Sequence, residues 1–273
     1  MLDLDHLRQV LAGAPIGHTL DYHEVVPSTM PVAHEWARQA GTRSGMVVVA
    51  EEQSTGRGRF ARRWAAPYGT ALLVSVILKP PWPVAPTELP IRTGLAVVYA
   101  LESLGPAMAG CVGLKWPNDI LLGHSPSDAG KVAGILIENE WRGNELTHAV
   151  VGIGINVNQL ADQLPPPPPG APRPTSVRAF LGAPGEVDRT ALLVALCRAL
   201  GNQLANSGES SDLHKDWRAY LWTLGQHVSV YEADRLVWRG RAIDASVDGA
   251  LLVLAETGEV RRFVAGEVSI RAA

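Results

Sequence analysis

The chain is organised around Gly56-Arg57-Gly58-Arg59-Phe60-Ala61-Arg62-Arg63-Trp64, a stretch that we call the basic loop. It lies between the apolar runs 46–50 and 70–79, which are typical of buried strands. Four arginines in so short a stretch are unfavourable in a core, so the segment predicts a loop at the surface. The local pattern leaves two interpretations open, a loop over a site for an anion and a solvated basic turn.

Composition narrows the class of protein. At 273 residues the chain suits one larger domain followed by a smaller one. Its formal net charge of −3 argues against a general nucleic-acid binder, because neutralising many phosphates needs a broad basic face. The arginine cluster is therefore local, which favours a small anion over a duplex.

The sequence lacks the patterns of secreted and membrane-spanning proteins. The two cysteines, Cys111 and Cys197, stand far apart in apolar surroundings, so we expect core thiols in a reducing compartment. The N-terminus lacks the basic start and apolar stretch of a signal peptide. No apolar run approaches the roughly 20 residues that a bilayer span needs. We predict a cytoplasmic protein that does not associate with membranes.

Apolar periodicity predicts a strand-rich chain with two parts. Helices are expected over 3–12, 28–40, 87–104, 190–205 and 211–222, and strands over 22–26, 45–51, 70–79, 112–116, 120–123, 131–138 and 147–158. Short alternating strands follow over 228–231, 237–245, 250–255 and 260–264. Because most strands are linked as hairpins, residues 1–222 predict an α+β domain with a mixed or antiparallel sheet. Residues 223–273 predict a small β-barrel.

Three segments carry more specific expectations. Gly152 and Gly154 leave one face of the strand 147–158 bare, which indicates that another backbone or a ligand lies against it. Ser28 or Thr29 is expected to cap the following helix, and without further context capping is the favoured role for both. The prolines of 164–172 predict an extended surface loop.

Polar residues interrupt several of the apolar strand ends. No Ser/His/Asp or Cys/His constellation with family spacing is visible, and the scattered histidines are expected to be surface or packing residues. The chain lacks the glycine and lysine spacing of a P-loop. Arginines, a lysine and glycine amides nevertheless suit a phosphate group, so the residues alone indicate an anion or nucleotide site. The interrupting residues are Gln53, the arginines of the basic loop, Lys115, Asn118, Asp119, Lys131 and Asn156.

A set of motifs, in order along the chain, resembles the biotin protein ligase family. The motifs are Gly56-Arg57-Gly58-Arg59-x-x-Arg62-x-Trp64, Lys115-Trp116-Pro117-Asn118-Asp119, Lys131-Val132-Ala133-Gly134-Ile135-Leu136-Ile137-Glu138, Gly152-x-Gly154-Ile155-Asn156 and Gly266-Glu267-Val268-Ser269-Ile270-Arg271. The resemblance runs from about residue 22 to the C-terminus. It implies a main domain (1–222) with a mixed sheet and helices like that of class II aminoacyl-tRNA synthetases, which binds biotin and ATP. It implies an SH3-like barrel for 223–273.

The resemblance also implies an activity. Biotin would react with MgATP to give biotinyl-5′-AMP and pyrophosphate, and a lysine of a biotin carboxyl carrier protein, such as that of acetyl-CoA carboxylase, would then take the biotin. Catalysis would come from placing the reactants together and offsetting negative charge. Because nothing precedes the first predicted helix, we expect no DNA-binding domain and no repressor function. A monomer and a homodimer are both compatible with the sequence.

Site residues follow from the resemblance, position by position. It implies catalytic roles for Lys131, Arg59, Arg62 and Asp119, with Asp119 as a ligand of Mg²⁺. Biotin would be bound by Ser28, Thr29, Gln53, Gly56, Arg57, Gly58, Arg59, Lys131, Gly134, Leu136, Gly152 and Gly154. ATP would be bound by Arg59, Arg62, Trp64, Asn118, Asp119, Lys131 and Asn156, with Trp64 stacked on adenine. Glu267 and Arg271 are candidates to reach the active site or the carrier.

The sequence departs from the family at two positions, one after Ser28-Thr29 and one within the basic loop. Met30 stands where the family usually has asparagine, and Ala61 replaces a common glycine, which predicts a slightly stiffer loop. Two other functions stay open, a lipoate or octanoyl ligase of the same fold and a non-catalytic biotin-binding protein. The Gly-Arg-Gly-Arg loop and Lys115–Asp119 disfavour the first. Lys131 and the full set of loop arginines disfavour the second.

Overall fold

The structure is a computed structural model that describes residues 1–82, 84–167, 170–205, 210–232, 235–265 and 268–272. The helices are α1 (Leu4–Val10), α2 (Thr29–Arg38), α3 (Leu89–Glu102), α4 (Val177–Leu181), α5 (Arg189–Ala205) and α6 (Ser210–Tyr220). The strands are β1 (Leu20–Val26), β2 (Val47–Gln53), β3 (Ala71–Leu78), β4 (Val112–Lys115), β5 (Asp119–Leu122), β6 (Gly130–Arg142), β7 (Glu145–Asn156), β8 (His227–Glu232), β9 (Arg235–Ala245), β10 (Leu251–Leu254), β11 (Val260–Phe263) and β12 (Ser269–Ala272). Glu267, expected to reach the site or the carrier, lies outside the described residues.

Two sheets carry the fold. The first has the strand order β1-β2-β3-β7-β6-β5-β4, in which β1 and β2 are parallel and the remaining neighbours antiparallel. The second is antiparallel, with the order β11-β10-β9-β8-β12. The predicted α+β class, with a mixed sheet followed by a smaller β structure, is confirmed.

Most predicted elements lie within a few residues of their expected bounds. The structure adds α4 and β12, which were not predicted. With five residues, between the capping Ser176 and the left-handed Gly182, α4 is too short for a periodic signal. The predicted helix 87–104 begins only at Leu89, because 86–88 forms a separate 3₁₀ turn.

The two faces of the first sheet are covered differently. One face packs against α3 and α5 in the main core, where α3 is buried almost all round. The other face carries α2, whose Met30, Ala33 and Ala37 pack on Val48 and Val150. Since α2 covers only part of this face, the rest of the face is open to a pocket.

Ser28 caps α2, as one of the predicted alternatives requires. It has extended backbone angles, and its Oγ accepts a hydrogen bond from the Met30 N–H at 3.4 Å. The cap places the first turn of α2 above the sheet.

A buried ion pair ties α5 to the sheet. Glu51 is 0% exposed and Arg189 is 6% exposed at their side chains, with an N–O separation of 2.7 Å. The Leu2 N–H donates to the same carboxylate at 2.9 Å, and Arg189 also donates to the Ala71 carbonyl at 3.1 Å. Burial alone would raise the pKa of Glu51, but the hydrogen bonds and charge of Arg189 outweigh it and hold that pKa below its usual value.

Trp116, next to β4, joins the main sheet to the C-terminal part of the chain by two hydrogen bonds. The Trp116 indole N–H donates to the Gly249 carbonyl at 2.9 Å, and the Trp116 backbone N–H donates to Thr223 Oγ1 at 2.9 Å. Among the described residues, every helix is too short or too polar to cross a bilayer.

Candidate active site

A cavity of about 390 Å³ opens on the α2 side of the main sheet. Of the residues predicted to bind biotin or ATP, all except Gly56 line it. These lining residues are Ser28, Thr29, Gln53, Arg57, Gly58, Arg59, Arg62, Trp64, Asn118, Asp119, Lys131, Gly134, Leu136, Gly152, Gly154 and Asn156. Residues from five separate parts of the sequence therefore meet in one pocket.

The floor of the pocket is a patch of glycine backbone across β6 and β7. Gly134 pairs with Gly154, and Leu136 pairs with Gly152. A Cβ on Gly154 would lie 2.7 Å from Trp64 Cε2, and one on Gly152 would lie 2.6 Å from Met30 Sδ. The expected bare face is present, and in this structure the groups lying on it are the Trp64 indole and the Met30 thioether.

Polar groups gather at one end of this floor. The Gln53 side-chain carbonyl accepts hydrogen bonds from the Thr29 N–H at 2.8 Å and the Thr29 hydroxyl at 3.2 Å. Ser75 Oγ lies 2.7 Å from Thr29 Oγ1, and since the Thr29 proton goes to Gln53, Ser75 is the donor. The Gln53 amide N–H groups have no partner within the described part of the chain. They are therefore available to a ligand carbonyl.

The basic loop folds back on itself as a narrow hairpin. The Trp64 N–H donates to the Gly56 carbonyl at 3.0 Å, and the Gly58 N–H donates to the Arg62 carbonyl at 2.7 Å. A Cβ on Gly56 would lie 2.3 Å from the Trp64 carbonyl oxygen, so no side chain fits there. Gly56 thus shapes the loop without lining the pocket. The turn residue with positive φ is Phe60, at 56°.

The loop arginines are directed to different partners. Arg57 forms an ion pair with Glu138 on β6 at 2.9 Å. Arg59 donates to Asn118 Oδ1 at 3.2 Å and to the Val268 carbonyl at 3.1 Å. Arg62 lines the pocket beside them. The loop is thereby held between β6, the β4–β5 turn and the C-terminal sheet.

One buried carboxylate lies among several cations at the other end of the floor. Asp119 Oδ1 is 2.6 Å from Lys131 Nζ, and Asp119 Oδ2 is 3.9 Å from Lys115 Nζ. The charges of two loop arginines also act here: Asp119 attracts Arg59, and both Arg59 and Arg62 repel Lys115. Asp119 is the one carboxylate among the described lining residues, so positive charge exceeds negative charge at this end of the pocket.

The electrostatics of this cluster follow from burial and from the charge imbalance. Burial alone would raise the pKa of Asp119, but Lys131 and Lys115 outweigh it and hold the pKa below its usual value. Burial lowers the pKa of Lys115, and the like charges of Lys131, Arg62 and Arg59 lower it further against the attraction of Asp119. Burial likewise lowers the pKa of Arg59. An anion entering here would meet cations that are already partly desolvated.

A β-bulge places Lys131 on the pocket side of the sheet. The pairing of β5 with β6 shifts between Ile120 and Leu121, so that Val132 and Ala133 both pack into the main core. With regular alternation Lys131 would point away from the pocket, because it is three residues from Gly134. The bulge restores it to the same face as Gly134 and Asp119.

The remaining predicted ATP residues are held by local hydrogen bonds. Asn118 Nδ2 donates to the Ile135 carbonyl at 2.8 Å, and Asn156 Nδ2 donates to the Thr175 carbonyl at 3.0 Å. The Trp64 indole N–H is buried without a hydrogen-bond partner in the described residues. Because buried indole N–H groups usually have a partner, a ligand acceptor would satisfy it.

The sequence interpretation missed several site residues. Ser75 is a polar residue within the otherwise apolar strand β3, and that interruption was a usable signal. The prolines expected in a surface loop line the pocket at Pro165, Pro166, Pro167, Pro172 and Pro174. They do so because the Lys131 N–H donates to the Arg173 carbonyl at 2.7 Å, a pairing over 42 residues that no local pattern reveals.

Comparison with known proteins agrees with this geometry. Residues 22–156 match the Biotin/lipoate A/B protein ligase family, and residues 223–271 match the Biotin protein ligase C terminal domain. The biotin–[acetyl-CoA-carboxylase] ligase of Mycobacterium tuberculosis is 33% identical over 240 residues, covering 84% of this chain and 81% of that protein. The chain belongs to the biotin protein ligase family.

Other members of the biotin protein ligase family are similar in part or in fold. The bifunctional ligase/repressor BirA of Bacillus spizizenii is 38% identical over 152 residues, and the chain spans only 44% of that relative's length. The biotin protein ligase of Aquifex aeolicus, solved in complex with biotin and ATP, is 26% identical, with a TM-score of 0.73 over 93% of this chain and 99% of that one.

Proposed function

We propose that the protein is a biotin–protein ligase that activates biotin with MgATP and transfers it to a lysine of a biotin carboxyl carrier protein. The observation that carries this proposal is the division of one pocket into two ends. Thr29 and Gln53, with Ser75 hydrogen-bonded to Thr29 behind them, offer hydrogen bonds at one end, and excess cations surround Asp119 at the other. A bicyclic urea and a triphosphate require these two environments.

The pocket has the dimensions for such a division. Ser75 on β3 and Asp119 on β5 are separated by three strand spacings, and β7 and β6 lie between them. At about 4.8 Å per spacing, the two ends lie roughly 14 Å apart. The glycine floor spans this distance, so biotin would lie along it with its carboxylate directed to Lys131.

At the polar end, the Gln53 amide would donate to the ureido carbonyl of biotin. The Ser28 and Thr29 hydroxyls are placed to bond the ureido nitrogens. The same arrangement disfavours a lipoate or octanoyl ligase, because neither a dithiolane nor an alkyl chain offers partners for these groups, which would stay buried and unpaired.

In the first step, an oxygen of the biotin carboxylate would attack the α-phosphorus of ATP. The bond to the bridging oxygen of pyrophosphate would break, which leaves biotinyl-5′-AMP. Lys131, Arg59 and Arg62 would offset the charge on the phosphoryl oxygens, and Asp119 would orient Lys131 at 2.6 Å. Mg²⁺ would arrive with the triphosphate, and Asp119 is the lining carboxylate available to it.

The adenosine end of the pocket is lined by an indole and two side-chain amides. Trp64, Asn118 and Asn156 are proposed to border adenine and ribose, with Trp64 moving from the glycine floor to stack on the base. The buried indole N–H without a partner supports such a movement.

In the second step, the amine of a carrier lysine would attack the acyl carbon of the mixed anhydride and release AMP. The relatives named biotin–[acetyl-CoA-carboxylase] ligase support a carboxylase carrier as the partner. No covalent intermediate with the protein is required, in agreement with the absence of an activated serine or cysteine nucleophile among the described lining residues.

The proposal also includes the organisation of the chain. Residues 1–222 would form the catalytic domain and 223–273 an SH3-like domain, which is supported by two separate sheets. Both cysteines are free thiols, which suits the reducing cytoplasm. A monomer or a homodimer is compatible with this function.

The test is the exchange of labelled pyrophosphate into ATP by the purified full-length chain. We expect exchange with biotin and none with lipoate or octanoate. A second measurement follows biotin on a carrier domain and on its lysine-to-arginine variant. Exchange that responds to lipoate in place of biotin, or no exchange by a folded protein, would overturn the proposal.

A further inference from the structure

A second cluster of polar side chains lies on the pocket face of the sheet, against the middle of α2. His34 on α2 is 9% exposed and His148 on β7 is 2% exposed. His34 Nδ1 lies 2.9 Å from His148 Nε2. Glu140 pairs with His148 across β6 and β7, and one possible ligand atom from each of the three side chains lies within 4.8 Å of the other two. None of the three belongs to the described lining of the pocket.

Hydrogen bonding determines which nitrogen of His34 carries the proton. His34 Nε2 lies 3.1 Å from Glu138 Oε2. Glu138 also pairs with Arg57 at 2.9 Å, and a carboxylate paired in this way only accepts hydrogen bonds. The proton of His34 is therefore on Nε2, and the lone pair of Nδ1 points to His148.

The same accounting holds for His148. The Thr147 hydroxyl donates its single proton to the Glu140 carbonyl at 3.0 Å, so toward His148 Nδ1, at 3.2 Å, it can only accept. The proton of His148 is therefore on Nδ1, and the lone pair of Nε2 points to His34. With both rings neutral, two lone pairs face each other at 2.9 Å, which is repulsive.

A cation between the two nitrogens removes this conflict. A proton held between the two rings is one candidate, and the experiment below distinguishes it from a metal ion. Glu138 pairs with Arg57 at 2.9 Å and Glu140 with Arg38 at 3.3 Å. A metal ion uses both lone pairs and takes Glu140 as a third ligand. We infer that His34, His148 and Glu140 bind a divalent transition-metal ion of the zinc type.

The surroundings match what metal-bound histidines require. A histidine ligand usually donates its other ring N–H to an oxygen, which fixes its orientation, and here Glu138 and Thr147 accept those protons. Two imidazoles and a carboxylate suit zinc, with water as the fourth ligand. Neighbouring ligand atoms in a tetrahedral zinc site lie roughly 3.4 Å apart, so the nitrogens would separate slightly and Glu140 would move inward. The side chain of Glu140 is 41% exposed, which gives the ion an entry path.

The position of the site links it to the pocket. His34 and Met30 are one turn apart on α2, and Glu138 is shared between His34 and Arg57 of the basic loop. A bound ion would fix α2 to the β6–β7 hairpin and hold Glu138 toward Arg57. The inference does not rest on the proposed ligase function, because it concerns binding alone.

The experiment titrates Co²⁺ and then Zn²⁺ into the chelator-treated full-length chain at neutral pH. We expect one equivalent of Co²⁺ with the visible absorption of a tetrahedral site, displaced by one equivalent of Zn²⁺, and a melting temperature raised by Zn²⁺. Replacement of His148 by alanine should abolish this absorption. The change Thr147→Val, which keeps the shape but removes the proton acceptor of His148, should weaken binding about 10–100-fold.

The matched control is Glu145→Gln, an exposed glutamate on the same hairpin, which should bind as the wild type does. Absence of a one-equivalent site in the wild type would overturn the inference. So would binding that survives unchanged in both His148→Ala and Thr147→Val. Nitrogen-15 spectra that show a proton shared by the two rings, undisturbed by excess Zn²⁺, would assign the cation as a proton and reject the metal.

Discussion

Two carboxylates of this protein, one buried and one partly buried, have opposite surroundings. Glu51 contacts one cation, Arg189, and accepts a hydrogen bond from the Leu2 N–H, and the N-terminal amine adds a weaker attraction. Asp119 is 17% exposed at its side chain and lies beside Lys131 and Lys115, with Arg59 acting on it as well. One site is balanced in charge and the other has an excess of cations.

The balance of charge around each carboxylate distinguishes a structural ion pair from an anion-binding site. A balanced pair needs no further partner, and breaking it leaves an uncompensated charge in the core. An excess of partly buried cations is unfavourable by itself and becomes favourable when an anion enters. Both carboxylates have a lowered pKa, so the pKa alone would not distinguish them, whereas the count of surrounding cations does.

The largest expected effect is on the balanced pair. The change Glu51→Gln leaves Arg189 buried without a counter-charge, and we expect the free energy of unfolding to fall by about 3–5 kcal/mol. Urea unfolding measures it. The double variant Glu51→Leu/Arg189→Met should recover much of the loss. A single variant as stable as the wild type would contradict the structural role of the pair.

The cationic site should respond in activity and not in stability. For Lys131→Ala we expect pyrophosphate exchange to fall about 10²–10³-fold, because one donor to the phosphoryl group is lost, with urea unfolding little changed. Lys79→Ala is the control, since Lys79 Nζ donates to the Gln39 carbonyl on the surface. Exchange at the wild-type rate in folded Lys131→Ala would show that the cation excess does not serve phosphate.

The loop arginines should show a smaller effect of the same kind. In Arg59→Ala or Arg62→Ala we expect exchange to fall about tenfold or more, since each provides one of several charges. Arg63→Ala is the comparison within the loop: Arg63 also lines the pocket, but its NH2 donates to the Ser54 carbonyl, so we expect a smaller fall. If Arg59→Ala also unfolded at a lower urea concentration than the wild type, loop folding and not phosphate binding would explain the effect.

The stabilising effect of the Glu51–Arg189 pair should be lost in acid. The folded pKa of Glu51 lies below its unfolded value, ordinarily about 4.3, so its stabilising contribution is complete above that value. The contribution is lost as the pH falls below about 4.3 and through the folded pKa. We expect the stability of Glu51→Gln to depend less on pH in this range. Parallel stability curves for variant and wild type would reject this titration.

The smallest expected effect is at the polar end of the pocket. Ser75→Ala removes a hydroxyl that donates to Thr29. We expect the KM for biotin to rise by a factor equivalent to about 0.5–1.5 kcal/mol of binding free energy. The KM for ATP should stay the same. A change confined to ATP would show that Ser75 belongs to the other end.

Sequence reasoning predicted the parts of the site that local chemistry encodes. The arginines between two apolar runs and the alternate glycines of β7 both line the pocket as expected. The β-bulge that turns Lys131 into the pocket was not predictable, since regular alternation would assign it to the opposite face. The pocket-lining position of the proline segment was also missed, and the contact between His34 and His148 was not predicted. Their partners are distant in sequence, and only the folded chain brings them together.

The strand β12 has a consequence for how this protein can vary. Arg59 and Lys115 donate to the carbonyls of Val268 and Ile270, at 3.1 and 3.2 Å. Any apolar residue at either position presents the same oxygen, so substitutions there leave the two acceptors in place. Position-by-position comparison of homologous sequences would not reveal this tie between the two sheets. Its evolutionary constraint falls on chain length and strand register, so a one-residue deletion in the C-terminal segment would do more harm than most substitutions in it.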